Sequence, residues 1–196
     1  MRIIQKLSTI LSKTPKFLLL LSILAVFGTI LELTGGIWDA VSHIMREPEF
    51  FWTIQHVSVY TGVAMISSSG ILGGILLAKK TVSGNLKRGI IIIIIGSVTQ
   101  ISAGYVDSLL HDVYGIDGLL SWSHQPLEFG LVLSALGGFL ILTELKGDGY
   151  KKLRTVSIFA LIFSLCWIGF NLSLLVGSTI LCLPIYEIFS SGCAIL

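Results

Sequence analysis

Two copies of one polar pattern contain all four histidines of the chain. In each copy an aspartate is followed by a histidine four residues later and by a second histidine thirteen residues further on. A carboxylate with two imidazoles is a common nitrogen and oxygen ligand set for zinc, copper or iron. The pattern therefore predicts a transition-metal site whose candidate ligands are Asp39, His43, His56, Asp107, His111 and His124.

Four acidic residues are candidates for additional ligands or for hydrogen-bond acceptors that orient the imidazoles. Glu32 and Glu128 lie within two helical turns of the histidine pattern, on the faces that carry it. Glu49 and Asp117 hold matching positions in the two connecting loops. We expect all four to surround the metal ligands.

The same side chains allow other interpretations. A polar cluster at helix ends can be an interfacial hydrogen-bond network, in which Asp–His pairs clamp each helical hairpin. Four histidines on four helices could hold a haem, but they are expected at one shallow depth and the paired aspartates would have no role. We therefore expect no haem. The spacing permits either one dinuclear site or two mononuclear sites.

The elements that carry this pattern are predicted to be transmembrane helices. Hydrophobic residues make up 54% of the 196 residues and charged residues only 12%, and the mean hydropathy is +0.91. Such a composition indicates lipid as the solvent. A span needs about 20 apolar residues, and five segments reach that length: 17–43, 52–78, 89–111, 122–145 and 153–175. We expect a single all-α domain over 1–196, a polytopic bundle that ends in one or two C-terminal helices.

The distribution of basic residues predicts the orientation. All lysines and arginines except Arg46 occur before the first span, between spans two and three, or between spans four and five. The positive-inside rule places those segments and the N-terminus in the cytoplasm, and the loops 45–51 and 112–121 outside a cell membrane. Because the basic residues sit in short loops, we expect lipid and further membrane proteins as partners, and no nucleic acid.

A shift of 68 residues aligns the two copies without a gap, and it aligns more than the ligand pattern. Other aligned pairs are Gly28 with Gly96, Glu32 with Gln100, Gly36 with Gly104, Gly62 with Gly130, and Gly70 with Gly138. Both segments cross the membrane in the same order, so they form parallel repeats related by an axis along the membrane normal. We expect repeat one over 17–80, repeat two over 85–148 and a C-terminal helical segment over 150–196.

From Asp39 to His56 the sequence resembles the C-type membrane component of the copper membrane monooxygenases, the enzymes that oxidise methane or ammonia. The likeness covers the motifs and the general topology. It implies that Asp39, His43 and His56 bind copper inside the membrane, with Arg46 and Glu49 in the charged connecting loop.

That family also has a second polar set, based on Asn-x3-His, in a later hairpin. Here Asp107, His111 and His124 occupy the comparable place, with aspartate where the family has asparagine. Because of this resemblance, copper is the metal ion that we most expect at the site, followed by zinc or iron.

The leading hypothesis is a copper- or iron-dependent membrane oxidoreductase, or a subunit of one, with its site at the outer membrane face. Metal transport or sensing is a second hypothesis, but a transporter needs polar residues along a path to the cytoplasm, and segments 18–25 and 90–95 are apolar. A third is a structural or assembly protein stapled by its ion. A zinc hydrolase ranks last, because no nucleophile accompanies the pattern.

Overall fold

The computed structural model describes residues 14–45, 47, 52–80, 82–114 and 122–179. Within these ranges the chain forms five α-helices, and no strand occurs among them. The helices are α1 Thr14–Met45, α2 Ile54–Ala78, α3 Gly84–Tyr114, α4 His124–Glu144 and α5 Lys151–Thr179. A short 3-10 turn, Asp148–Tyr150, leads into α5.

Each of the five helices is long and apolar enough to cross a membrane, with spans of 21 to 30 residues. Their outward faces carry large apolar side chains such as Ile71, Phe129 and Phe163, each more than half exposed. In water such faces would be unfavourable, whereas in lipid they need no partner. The structure therefore has the helices of a multi-pass membrane protein, and the five predicted segments are helical over lengths that can cross a membrane.

The helix bounds differ from the predicted spans mainly at the ends. α3 begins at Gly84, ahead of the predicted 89, and α5 begins at Lys151. A helix continues past the hydrocarbon layer because its hydrogen bonds do not depend on side-chain polarity, so Lys87 and Arg88 belong to α3 although they are charged. The predicted tail beyond Thr179, including 180–196, lies outside the described residues.

Helices α1 to α4 form a closed ring, and α5 lies outside it. The largest contacts occur within the hairpins α1–α2 and α3–α4, and smaller ones join α2 to α3 and α1 to α4. α5 packs against α4 and, less extensively, against α1. The ring therefore has its own interior, which four helices line.

Each hairpin is closed by two glycines that bring the backbones into contact. A Cβ added to Gly28 would lie 2.8 Å from the carbonyl oxygen of Gly62, and one added to Gly62 would lie 2.6 Å from the Gly28 oxygen. Gly96 and Gly130 make the corresponding approach, with both distances at 2.7 Å. Small residues allow this packing in lipid, where close van der Waals contact holds helices together.

Hydroxyl groups add cross-helix hydrogen bonds in the first hairpin. Ser69 Oγ of α2 donates to the carbonyl oxygen of Leu21 at 2.9 Å, and Ser58 Oγ donates to that of Leu31 at 3.0 Å. Both acceptors lie on α1. Because no water competes for these groups inside a bilayer, such bonds fix the hairpin geometry.

The interior of the ring changes character along its length. At the basic end, defined as the end where α2 and α4 finish and α3 and α5 begin, the core is apolar and includes Leu21, Ile90 and Ile141, all buried. Toward the opposite end the buried residues include Glu32 and Gln100. Within the described ranges, the buried carboxylates thus belong to one half of the bundle.

Candidate functional site

The histidine end of the bundle is where α1 and α3 finish and α2 and α4 begin. His56 lies in the first turn of α2, and His124 is the first residue of α4. Asp39 and Asp107 lie about two turns before the ends of α1 and α3. The hairpins therefore bring carboxylates and imidazoles together from neighbouring helices, as the spacing predicted.

Two Asp–His pairs form at this end, one in each hairpin. His56 Nε2 lies 3.1 Å from Asp39 Oδ1, and His124 Nε2 lies 3.3 Å from Asp107 Oδ2. The aspartate side chains are only 12% and 14% exposed, and the histidines 26% and 21%. Partial burial lowers the local dielectric and strengthens the attraction between each carboxylate and its imidazole.

Tyr60 of α2 lies beside the first pair. Its ring stacks on that of His56, with centroids 6.1 Å apart and planes 26° apart. Trp52 meets Tyr60 edge-on, with centroids 6.1 Å apart. The phenol group also interacts electrostatically with both Asp39 and Asp107. Tyr60 therefore belongs to the surroundings of the histidine end.

Ser123 gives the second pair a further contact. Its hydroxyl donates a hydrogen bond to Asp107 Oδ1, whereas His124 faces the other carboxylate oxygen. Both oxygens of Asp107 therefore have partners from the residues at the start of α4, and the carboxylate plane is fixed by them. A carboxylate oriented in this way is a typical partner for a metal-binding imidazole.

The geometry of the pairs is compatible with two kinds of site. Two ligand atoms bound to one tetrahedral ion at 2.0–2.1 Å lie about 3.3 Å apart, which is close to both measured separations. A direct N–H···O hydrogen bond between an imidazole and a carboxylate has a length of about 2.7–3.2 Å, which includes the shorter of the two separations. The pairs can therefore be neighbouring ligands of an ion or ion pairs that clamp the hairpins.

His43 and His111 lie in α1 and α3, one turn after Asp39 and Asp107. Their side chains are outside the described part of the structure, as are Glu49 and Asp117. Among the side chains that are described, no group of three or more His, Cys, Asp or Glu residues is arranged to hold a metal ion. Of each predicted ligand set the structure therefore shows one Asp–His pair, Asp39 with His56 and Asp107 with His124. The parts of His43 and His111, and metal binding itself, stay predictions.

Glu32 and Glu128 lie deeper in the bundle than the Asp–His pairs. Glu32 Oε2 accepts a hydrogen bond of 3.2 Å from Gln100 Nε2. Seven positions of helix separate Glu32 from Asp39, about 10 Å along the axis. Glu128 lies one turn after His124 and interacts with it, and also with Trp167 on α5. Glu32 and Gln100 therefore lie below the layer that holds the Asp–His pairs, and Glu128 adjoins that layer.

The sequence pattern did not single out Tyr60, Ser123 or Trp167. Tyr60 lies four residues after His56, so the helical period could have placed both on one face. Ser123 directly precedes His124, but nothing in the sequence indicates that its hydroxyl turns toward Asp107. Trp167 lies on a helix outside the repeats, and no periodicity connects it with Glu128.

Comparison with known proteins gives no family. No protein-family model matches this chain, and no curated protein or solved structure matches it. The class established by the structure is a multi-pass helical membrane protein with a polar cluster at one end of a four-helix ring.

Proposed function

We propose that this chain is an integral membrane metal-binding protein, and that it is a copper- or iron-dependent oxidoreductase or a subunit of one. The observation that carries this proposal is that four helices bring together two Asp–His contacts at one end of the bundle. We assign the metal to the histidine end. The proposed ligands are Asp39, His43, His56, Asp107, His111 and His124.

We further propose that the two hairpins are duplicated units, 17–80 and 85–148. Contacts at positions 68 residues apart support this. The Gly28–Gly62 approach corresponds to Gly96–Gly130, and the Asp39–His56 contact corresponds to Asp107–His124.

A contact between equivalent residues supports a symmetry axis between the hairpins. Glu32 and Gln100 are aligned by the 68-residue shift, and they hydrogen-bond to each other. Equivalent residues of two repeats can touch only where both lie close to the axis that relates them. Asp39 and Asp107 follow two turns later on the same helices, so they also lie near that axis. This favours one shared site, with both sets facing a common centre, over two separate ones.

The burial of the pairs favours an ion over a simple clamp. Carboxylates that are nearly nine-tenths buried lose most of their hydration, and one neutral imidazole restores only part of it. A bound cation balances the charge and holds the imidazoles in their neutral form. Copper or iron at such a site would supply electron transfer, while the Asp–His contacts, Ser123 and Tyr60 orient the ligands.

We propose that the histidine end faces the outside of the cell membrane. The support is the basic end, where Lys79 and Lys80 follow α2, Lys87 and Arg88 lie in the first turns of α3, and Lys151 begins α5. Lysine and arginine in short loops favour the cytoplasmic side. A substrate or electron partner would then reach the metal from the outer side or from the bilayer.

A structural clamp is the second candidate function. The observation in its favour is that each carboxylate already has an imidazole at 3.1–3.3 Å, which is sufficient to join the two helices of a hairpin. In that case the pairs would stabilise the fold without any ion.

Metal analysis of detergent-purified protein separates the two candidates. We expect copper or iron in stoichiometric amount in the native protein, and its loss in His56→Ala and His124→Ala because each variant removes an imidazole. Asp148→Asn is the matched control, since that acid is exposed and pairs with Lys151 at the basic end. Folded protein that is metal-free and does not take up copper, iron or zinc on reloading would contradict the proposal and favour the clamp. Zinc alone would remove the redox assignment.

A further inference from the structure

A second group of polar side chains is buried within the bundle, one to two turns deeper than the Asp–His pairs. Glu32 of α1, Gln100 of α3 and Glu128 of α4 are 3%, 1% and 9% exposed. All three lie within the membrane-spanning segments of their helices. Buried ionisable groups in such segments are unfavourable unless they have a function or a partner. We refer to these three residues as the oxygen cluster.

One carboxyl group of the oxygen cluster has a nitrogen donor at hydrogen-bond distance. Gln100 Nε2 donates to Glu32 Oε2 at 3.2 Å. Glu128 interacts with Trp167 of α5, and also with His124 one turn earlier on α4. The two carboxyl groups are also close enough to interact electrostatically with each other.

Three oxygens of the cluster have no hydrogen-bond partner among the described residues. They are Glu32 Oε1, Gln100 Oε1 and Glu128 Oε2, one from each residue. All three are acceptors unless a carboxyl group is protonated, and buried acceptors are seldom left unpaired. A positively charged ligand is therefore the partner that suits all three.

Two of these side chains start from closely packed positions. A Cβ on Gly62 would lie 2.8 Å from Glu32 Cβ, and one on Gly130 would lie 2.6 Å from Gln100 Cγ. Glu32 and Gln100 therefore pack directly against the neighbouring helix of their hairpin, and the hydrogen bond between them joins the two hairpins.

We propose that Glu32, Gln100 and Glu128 form a second cation site, which binds a hard divalent ion through oxygen. Carboxylate and amide oxygens are the ligands that calcium, magnesium and manganese prefer. Two carboxylates balance two positive charges. Protonation would let each carboxyl group donate one hydrogen bond, whereas a bound ion would bring the oxygens of all three residues to one centre. Waters complete the coordination.

The second site is chemically distinct from the metal proposed at the histidine end. Its three residues include no imidazole, so they do not favour copper or zinc over hard ions. The site also joins α1, α3 and α4, and through Trp167 it is linked to α5. The ion would therefore tie both hairpins and the outer helix together.

Manganese is the probe for this site, because it prefers oxygen ligands and has a paramagnetic resonance signal. Metal-stripped protein in detergent is titrated with Mn²⁺, and the bound and free ion are measured by electron paramagnetic resonance. We expect one saturable site, which Ca²⁺ or Mg²⁺ displaces. Glu32→Gln and Glu128→Gln should each weaken Mn²⁺ binding at least tenfold. Glu144→Gln is the matched control, because this acid is exposed on α4.

His56→Ala distinguishes the two sites. This variant should keep Mn²⁺ binding although it loses the metal at the histidine end, so either proposal can fail without the other. As a readout independent of the acid variants, Mn²⁺ should quench tryptophan fluorescence less in Trp167→Phe than in the native protein.

Two results would overturn the second site. One concerns Mn²⁺ binding: it is absent, or it is as tight in Glu32→Gln and Glu128→Gln as in the native protein. Loss of Mn²⁺ binding in His56→Ala would count in the same way. The other is an infrared band of a protonated carboxylic acid that disappears in Glu128→Gln while no Mn²⁺ binds. That pattern would mean that the cluster holds a proton instead.

Discussion

Each aspartate at the histidine end meets a histidine from the neighbouring helix, and the second pair has an additional support. Ser123 holds one oxygen of Asp107 while His124 faces the other. A hydrogen bond of this kind fixes the direction of a carboxylate and thereby that of the imidazole it orients. In metal sites, such outer contacts commonly change affinity by about 10- to 100-fold.

Ser123→Ala should therefore weaken metal binding at the histidine end about tenfold without abolishing it. The measurement is a competition titration of the proposed copper site with a chelator. Ser68→Ala is a suitable control, because this exposed hydroxyl bonds within its own helix, to the carbonyl oxygen of Ala64. Equal affinities of Ser123→Ala and the control would show that the serine does not orient Asp107.

The hairpin topology led us to expect Asp39 near His56 and Asp107 near His124, because a hairpin returns to the same depth, and both contacts are present. It could not predict where Tyr60 lies relative to the aspartates, since that depends on how α2 packs against α3. The interaction between Trp167 and Glu128 could not be predicted from the sequence either, because α5 is not part of the repeat that contains α4. Local periodicity determines faces, while contacts between distant helices depend on side-chain packing.

At the scale of helices, the glycine pairs decide how closely the two helices of each hairpin approach. Gly62 and Gly28 touch through their backbones, whereas Gly74 on the same helix as Gly62 has no atom nearer than 3.9 Å to an added Cβ. The sequence shows where the glycines are and that they align. It does not show whether a neighbouring helix packs against a given glycine, and only the structure distinguishes a packed glycine such as Gly62 from an open one such as Gly74.

Gly62→Ala should destabilise the protein, because its methyl group would meet the Gly28 carbonyl oxygen and Glu32 Cβ. Overpacking of this kind costs about 1–3 kcal/mol. Gly74→Ala should have little effect, since there is room for the methyl group. Thermal unfolding of both variants in the same detergent tests this, and equal losses of stability would contradict the close approach seen at Gly62.

For the whole molecule, the five spans followed from length and hydropathy, because lipid imposes a simple requirement on each helix. The ring of four helices with α5 outside did not follow from these properties. All five segments are apolar on most faces, so the sequence has no pattern of polar and apolar faces that distinguishes a helix of the ring from a peripheral one. The difference arises from the glycines and polar groups that α1 to α4 turn toward each other.

The proposed orientation makes a direct prediction about labelling. Val113→Cys lies at the histidine end and Ser83→Cys at the basic end, and both positions are exposed. In a background without the native cysteines, a membrane-impermeant thiol reagent should label Val113→Cys in intact cells and Ser83→Cys only after lysis. The reverse pattern would place the histidine end in the cytoplasm.

The apolar half of the bundle has a consequence for the proposed metal site in an energised membrane. The core around Leu21, Ile90 and Ile141 is apolar and closely packed, so we expect most of a transmembrane voltage to fall across that half. Moving one charge across the whole membrane takes about 2.3 kcal/mol per 100 mV. An ion that reached Asp39 from the polar end would cross only a small part of this field, so occupancy of the proposed site should be nearly independent of voltage.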